Sequence, residues 1–503
     1  MHSEPRNPAL WKPAALVALV AGAIAFTLLG SSPLAMSEAH RVLPAWDMLA
    51  RGDALVTHLY DQPYLRKPPG LVWSIAATSW LMGQTEFSAR SISALAFVLS
   101  CLLSLVFARR WWGHTAALPA GLAHAFTPLF WYPARSAEIE SLHNFATQAT
   151  LLLLLDVLLS PRERASWLRA LLLGLGVTAM LAAKGPAGLP CIAGVAIACA
   201  LRSSWRTLLW PALGLGLCLP VLATGVYLAL LASRVAALDV PPVVQSPSTF
   251  LWAVDRLVGI AILIPAALVS AMPVCLFLIP ALLPRAVTPG HAHASTLAWA
   301  VILSLAFYML IGISNTRYAM PALVLLPALA GYAAAWWSTT RSSPDASLQR
   351  LGKVLLLDHP LIPAAVLLVL AGVYVGYSES RRTRISGKAE ALRFAAALPP
   401  GETLLWADKL IEARPEFFLY AQREAASRGT TLRVRWVPQD QTAPTLPPAG
   451  TLLAIRTDSL TIRDDLEPEI ETFARAGFTP ESAVLFQGRI HNFTFVVARV
   501  PTR

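Results

Sequence analysis

The sequence predicts a polytopic α-helical membrane protein with a small α/β domain at its C-terminal end. Three observations lead there. Of 503 residues, 56% are hydrophobic and 14% charged, against about 25% charged in soluble domains. The mean hydropathy is +0.56. Apolar runs recur that are long enough to cross roughly 30 Å of hydrocarbon. From about residue 384 the pattern changes to short alternating strands and amphipathic helices.

The first apolar run, 13–35, lacks a small-residue cleavage site and reads as a retained span. Further spans are expected at 89–108, 114–132, 142–160, 167–183, 186–201, 207–232, 257–284, 296–313, 318–337 and 359–378. That makes about eleven. The pair around Lys184 is joined only by the short turn "KGP".

Basic residues set the expected orientation. With the N-terminus in the cytoplasm, the inner loops hold Arg109 and Arg110, then Arg162, Arg164 and Arg169, then Arg202 and Arg206, then Arg285, and last Arg341, Arg350 and Lys353. This is the positive-inside bias. Arg41, Arg66, Lys67, Arg135, Lys184, Arg256 and Arg317 then lie outside, against the bias, which makes them candidates for function. The formal net charge of +11 is explained by span ends and topology, and no nucleic-acid motif accompanies it. All five cysteines sit in apolar segments without metal or redox spacing and read as small hydrophobes.

The first outer loop, 36–88, is unusually long for a connection and too rich in Trp, Leu and Tyr to be disordered. "HRVLPAWDMLARG" places Val42, Leu43, Trp46, Leu49 and Ala50 against Arg41, Asp47 and Arg51, an amphipathic pattern suited to an interfacial helix. "PPGLVWSIAATSWLMG" is too short to span and reads as a second interfacial or re-entrant helix. Lys67 precedes Pro68 and Pro69, a stiff element that fixes the direction of one cation. Beside Arg317 it would suit a phosphate. Lys184 could do the same, or simply snorkel at a span end. Glu38 and Glu140 are the two acids expected on this face.

Beyond 384, "GKAEALRFAAAL", "ARPEFFLYAQREAASRG" and "EIETFARAGF" read as helices. "ETLLWA", "LRVRWV", "TLLAIR", "AVLFQ" and "NFTFVVARV" read as strands. A membrane domain over 1–380 and an outer α/β domain over 384–503 are therefore expected.

The loop motifs resemble a family. "SEAHRVLPAWDMLARGD", "PYLRKPPGLVW" and "GQTEFSARSISAL" are similar, in order and spacing, to the GT-C glycosyltransferases that use lipid-linked sugars. The resemblance is to the aminoarabinose transferase-like branch, related to the protein O-mannosyltransferases. "AEIESL" at 137–142, "KGPAGL" at 184–189 and "RYAMPAL" at 317–323 extend it over about 13–340. It implies a GT-C-like enzyme at the outer face of a bacterial inner membrane, with loop and C-terminal domain in the periplasm. The sugar would move from a polyprenyl-phosphate carrier to a lipid, glycan or protein acceptor, with inversion and without a cofactor. It implies Glu38 as the principal carboxylate and Glu140 as the second acid. Lys67 and Arg317 would hold the donor phosphate, with Arg135, Lys184 and Tyr318 as further donor-binding residues.

Three positions depart from the pattern. Many relatives carry Asp-Glu where this chain has Ser37-Glu38. They often carry Glu, implicated in metal binding, where Arg66 stands, so no metal is expected. They carry Leu where Gly70 stands. A transporter or flippase of a lipid-linked substrate would use the same cations, but no internal repeat is visible. A non-catalytic protein that binds a lipid-linked sugar is the third reading, kept open by Ser37.

Overall fold

A computed structural model describes residues 10–159, 167–202, 211–238, 263–282, 290–311, 313, 315–339, 361–407, 409–437, 447–457, 484–491 and 493–501. The expected inner-loop residues Arg162, Arg164, Arg206, Arg285, Arg341, Arg350 and Lys353 lie outside them. So do Arg256 and the predicted helix "EIETFARAGF".

Helix α1, Trp11–Phe26, starts a bundle. The loop follows with α2, Ala39–Arg51, a small ladder of β1, His58–Leu59, with β2, Gln62–Pro63, and α3, Gly70–Met82. Helix α2 ends where Gly52 adopts φ +70° and returns its N–H to the Met48 carbonyl at 2.9 Å, a conformation that glycine takes without a Cβ clash. Its apolar stripe forms the predicted face. Val42, Ala45 and Trp46 pack on Leu71, Val72 and Ile75 of α3, and the Trp46 indole N–H donates to Ser79 Oγ at 3.0 Å.

The bundle continues through α4, Glu86–Trp112, α5, His114–Ala125, the short α6, Trp131–Ala134, and α7, Ile139–Leu159. Helices α8, Trp167–Lys184, and α9, Leu189–Arg202, are separated by a 3₁₀ turn at Gly185–Gly188, where the "KGP" turn was expected. Then come α10, Pro211–Val235, and the bent pair α11, Leu263–Ser270, and α12, Val274–Leu282, at 103°. Helices α13, His291–Leu310, α14, Thr316–Leu323, α15, Leu326–Thr339, and α16, Leu361–Ile385, complete it. Among the described residues, six helical segments are long and apolar enough to cross a membrane, or seven if the bent pair counts as one. At the end of the bundle away from the loop, Asp156 of α7 pairs with Arg110 of α4 at 2.6 Å.

Past α16, helix α17, Lys388–Ala397, leads into strand β3, Glu402–Ala407, then α18, Lys409–Ala413, and α19, Pro415–Ser427. Strands β4, Thr431–Trp436, β5, Leu452–Arg456, β6, Val484–Ile490, and β7, Phe493–Arg499, complete a sheet of order β4-β3-β5-β7-β6. The β3 strand is parallel to both neighbours, and β7 is antiparallel to β5 and β6. Phe394, Phe417 and Phe495 form its aromatic core. This α/β unit sits directly on the first loop. Tyr60 Oη donates to the Pro415 carbonyl at 2.7 Å, and the Trp436 indole N–H donates to the Leu59 carbonyl at 2.7 Å. Arg66 pairs with Glu412 of α18 at 2.6 Å.

Candidate functional site

The loop face of the bundle carries two separate sets of charges. The first surrounds Glu38. Its carboxylate accepts Arg90 Nε and Nη2, both at 2.8 Å, the Ala137 amide at 3.0 Å and the Ala35 amide at 3.1 Å. Each oxygen thus accepts two donors, and the residue is 1% exposed. Burial opposes the charge, but the Arg90 guanidinium overrides it and holds the carboxyl down to about 2. A carboxylate so satisfied is a weak proton acceptor. Its evident work is to tie the 35–38 turn to α4 and to the stretch before α7. The expectation of Glu38 as the principal carboxylate at the boundary therefore does not fit its surroundings. Glu38→Gln leaves the Arg90 charge uncompensated and should destabilise the fold by about 3–5 kcal/mol. A thermal melt of the purified protein checks this, and an unchanged melting temperature would contradict the structural assignment.

Arg135 is also placed differently from the expectation. It is fully buried and donates to the carbonyls of Ile24 and Ala25 and to Glu379, at 2.8, 3.2 and 2.8 Å. It joins the C-terminal end of α1 to α16 rather than facing the other outer cations.

The second set gathers the remaining expected residues. Arg317, in the first turn of α14 with its amide capped by Asn315 at 2.9 Å, donates Nε and Nη2 to the two oxygens of Glu140 at 2.7 and 2.8 Å. Its Nη2 also reaches Glu138 at 2.6 Å. Lys184, at the end of α8, approaches Glu140 at 3.1 Å and lies 4.6 Å from the centre of the Tyr318 ring. An acid in the first turn of α7 and a cation in the last turn of α8 both suit the helix dipoles.

Glu138 completes this set, and sequence reasoning gave it no role. It was visible only as one letter of "AEIESL". It accepts the Ser37 hydroxyl and is 1% exposed. Burial pushes its carboxyl above the usual range, with the neighbouring Glu140 acting in the same direction and Arg317 against it. Ser37 thus occupies the expected acidic position, and Glu138 supplies a carboxylate to that same hydroxyl.

Lys67 stands where this set meets an apolar groove. Burial, and the nearby charges of Arg41, Lys184 and Arg317, push its ammonium below the usual lysine range, while Glu140 opposes them. Cations crowded in this way favour an anion between them. The groove is a cavity of about 460 Å³ whose walls include Lys67, Pro68, Trp73, Leu181, Tyr227 and Leu231. Its wall is closed by a close backbone approach. A Cβ at Gly70 would lie 2.6 Å from the Ala182 carbonyl oxygen, so the leucine of relatives does not fit here without moving α3 away from α8. Gly70→Leu should therefore cost about 1–3 kcal/mol, read as a lower melting temperature. Unchanged melting would show that the contact yields freely.

Residues 66–227 match the dolichyl-phosphate-mannose-protein mannosyltransferase family. Over 76 residues the chain is 41% identical to the undecaprenyl phosphate-alpha-4-amino-4-deoxy-L-arabinose arabinosyl transferase of Pectobacterium atrosepticum, covering 15% of this chain and 14% of that one. Over 139 residues it is 30% identical to the protein of the same description from Pseudomonas aeruginosa, covering 27% and 25%. The aligned segments thus span about a quarter or less of these relatives. The whole fold is compared through ArnT from Cupriavidus metallidurans bound to undecaprenyl phosphate. It superposes with a TM-score of 0.66 over 96% of this chain and 97% of that one, at 18% identity. The chain has the fold of this ArnT structure. The ArnT-like fold extends through the C-terminal sheet, since the superposition leaves only a few per cent of either chain unmatched.

Proposed function

We propose that this protein is a membrane glycosyltransferase that moves a sugar from a polyprenyl-phosphate carrier to an envelope lipid, glycan or protein acceptor. One observation carries the reading: the apolar groove ends at Lys67, next to Lys184, Arg317 and the Glu138–Glu140 pair. A polyprenyl tail needs an apolar cleft between helices, and its phosphate needs fixed cations at the mouth. The similar arabinosyl transferases are described by an undecaprenyl-phosphate donor, and the superposed ArnT holds undecaprenyl phosphate.

In this mechanism Lys67, Lys184 and Arg317 bind the phosphate and stabilise the charge that grows on it as the glycosidic bond breaks. Preorganised donors act most strongly on developing charge in a water-poor site. Tyr318 backs Lys184. Glu138, rather than Glu38, accepts the proton of the attacking acceptor through or beside Ser37. Glu140 stays ionised between Lys184 and Arg317 and fixes their positions. Direct displacement inverts the anomeric carbon. In this reading the chain has about eleven spans, loop 36–88 and the domain after 384 lie on the periplasmic side of a bacterial inner membrane, and the membrane domain covers 1–380.

The test is mass spectrometry of envelope glycolipids and glycoproteins from cells with and without the protein, paired with transfer assays in vesicles. A modification that disappears with the protein names sugar and acceptor together. Movement of the lipid-linked sugar across the bilayer without transfer would replace this reading with a flippase.

A further inference from the structure

Helix α19 brings another buried acid to the turn that presents Ser37. Glu416, in the first turn of α19, is as completely buried as Glu38. The two differ in their partners. Glu38 accepts four close donors. Glu416 Oε1 accepts only the Met36 amide at 3.4 Å, and its Oε2 has no hydrogen-bond partner among the described residues. Arg414, just before α19, stands 3.6 Å from the carboxylate, and Tyr60 of the loop lies close enough to feel its charge. Burial outweighs Arg414 and pushes the Glu416 carboxyl up to about 7.

The other charges packed around α19 are engaged elsewhere. Lys388 of α17 lies over the Tyr420 ring at 5.2 Å. Glu86 of α4 accepts Tyr420 Oη at 2.9 Å and has Arg423 at 3.7 Å. Glu412 of α18 pairs with Arg66, and Arg433 of β4 with Glu402. On α2, Arg41 acts on Lys67, and burial holds the His40 imidazole down to about 4. The turn itself needs holding. Met36 has φ +56°, a left-handed conformation that a side chain disfavours and that persists only where the surroundings impose it. Glu38 fixes the turn from the bundle, while Tyr420 and Glu416 fix it from the α/β unit. The next residue, Ser37, donates to Glu138.

We propose that Glu416 is a positioning residue: as a neutral acid it holds the Met36 amide and so keeps Ser37 on Glu138, and its ionisation releases the turn. A neutral carboxyl still accepts the amide through its carbonyl oxygen. An ionised one is a buried charge with a single long amide bond and an unpartnered oxygen, and it gains by turning toward water. Folding raises this carboxyl, so the folded chain binds its proton more tightly than the open one. The stability it lends the turn is full below the ordinary value of 4.5 and is lost as pH rises through about 7. The effect on catalysis rests on the glycosyl-transfer reading, whereas the release of the turn does not.

The experiment follows amide hydrogen exchange of the full chain in phosphatidylcholine nanodiscs at about pH 6 and about pH 8.5, corrected for the intrinsic exchange rate. Protection of the 34–38 amides should fall about tenfold between the two, the ratio that linkage gives for a carboxyl at about 7 when the turn is closed and 4.5 when it is open. The β5 amides, central in the sheet, should keep their protection, which separates opening of the turn from global unfolding. Glu416→Gln keeps the shape and the carbonyl acceptor without a charge, so its turn should stay protected at both values. Glu138 is the other acid that meets this turn, and Glu416→Gln leaves it in place. A pH step that survives Glu416→Gln would therefore overturn the proposal, as would the absence of a step in the wild type. In vesicles, transfer should decline on the alkaline side in the wild type and stay level in Glu416→Gln, and a decline common to both would remove the positioning role. If exchange behaves as expected but no sugar is transferred at any pH, the transfer reading fails and the pH-sensitive hold on the turn stands.

Discussion

Glu138→Gln is expected to slow single-turnover sugar transfer by about 10²–10⁴-fold, the range for loss of a general base, at saturating donor and with the fold intact. Gln keeps the size, its one carbonyl oxygen still accepts the Arg317 N–H, and its amide N–H can donate to the Ser37 hydroxyl oxygen in place of the bond that Glu138 accepts, so binding of undecaprenyl phosphate should change little. The pH profile carries a second signature. Burial and Glu140 raise the Glu138 carboxyl above the ordinary range, so in the wild type it protonates early on acidification. The rate should fall as pH drops through that raised value, and Glu138→Gln should erase this acidic limb. The substitution Ser37→Asp would place one more carboxylate beside Glu138 and should move the limb to still higher pH. A Glu138→Gln protein that turns over at the wild-type rate would leave Glu140 as the remaining acid of the cluster.

Lys67→Ala should lower transfer by about 10²–10³-fold, the usual loss on removing one preorganised donor from a developing oxyanion. It sits on an exposed-to-buried margin in a stiff Lys-Pro-Pro element, so the fold should tolerate truncation, and size-exclusion behaviour should match the wild type. Lys67→Arg should restore only part of the activity. A planar fork presents its donors differently from a compact ammonium, and the position is already crowded by Arg41, Lys184 and Arg317. Near-normal transfer by Lys67→Ala would remove this residue from the phosphate site. Donor binding measured in parallel separates ground-state affinity from the chemical step.

Much of the architecture was legible because it rests on local periodicity. The amphipathic stripe of α2, the short apolar α3 after two prolines and the strands of the C-terminal sheet all announce themselves within a dozen residues. The cation cluster was singled out because Lys67, Lys184 and Arg317 are expected outside, against the topological bias, and the fold brings them near Glu140. What escaped was pairing at a distance. Arg90 reads as one residue of a span, and only the fold brings it to Glu38 across 52 positions. That contact converts the most conspicuous acid of the loop into a structural anion. Arg135 looked like an outer cation, yet its guanidinium is held by the carbonyls at the end of α1 and by Glu379 of α16. Glu138 and Glu140 are two letters apart in one short motif, and nothing local says which of them is tied by two cations and which receives the Ser37 hydroxyl. Gly70 looked like a simple departure from a pattern until the Ala182 carbonyl showed what it makes room for.

The grip of α19 on the start of the loop has its own consequence. The Leu34 amide donates to Tyr420 Oη at 2.6 Å, the Met36 amide faces Glu416 at 3.4 Å, and Met36 itself holds φ +56°. These partners lie 386 and 380 positions apart in the chain. During synthesis, then, the turn that presents Ser37 emerges among the first residues made, yet two of its backbone bonds cannot close until residue 420 has been translated and folded. A chain cut short before α19 would carry the cations, the groove and both acids, but its turn would lack these two clasps.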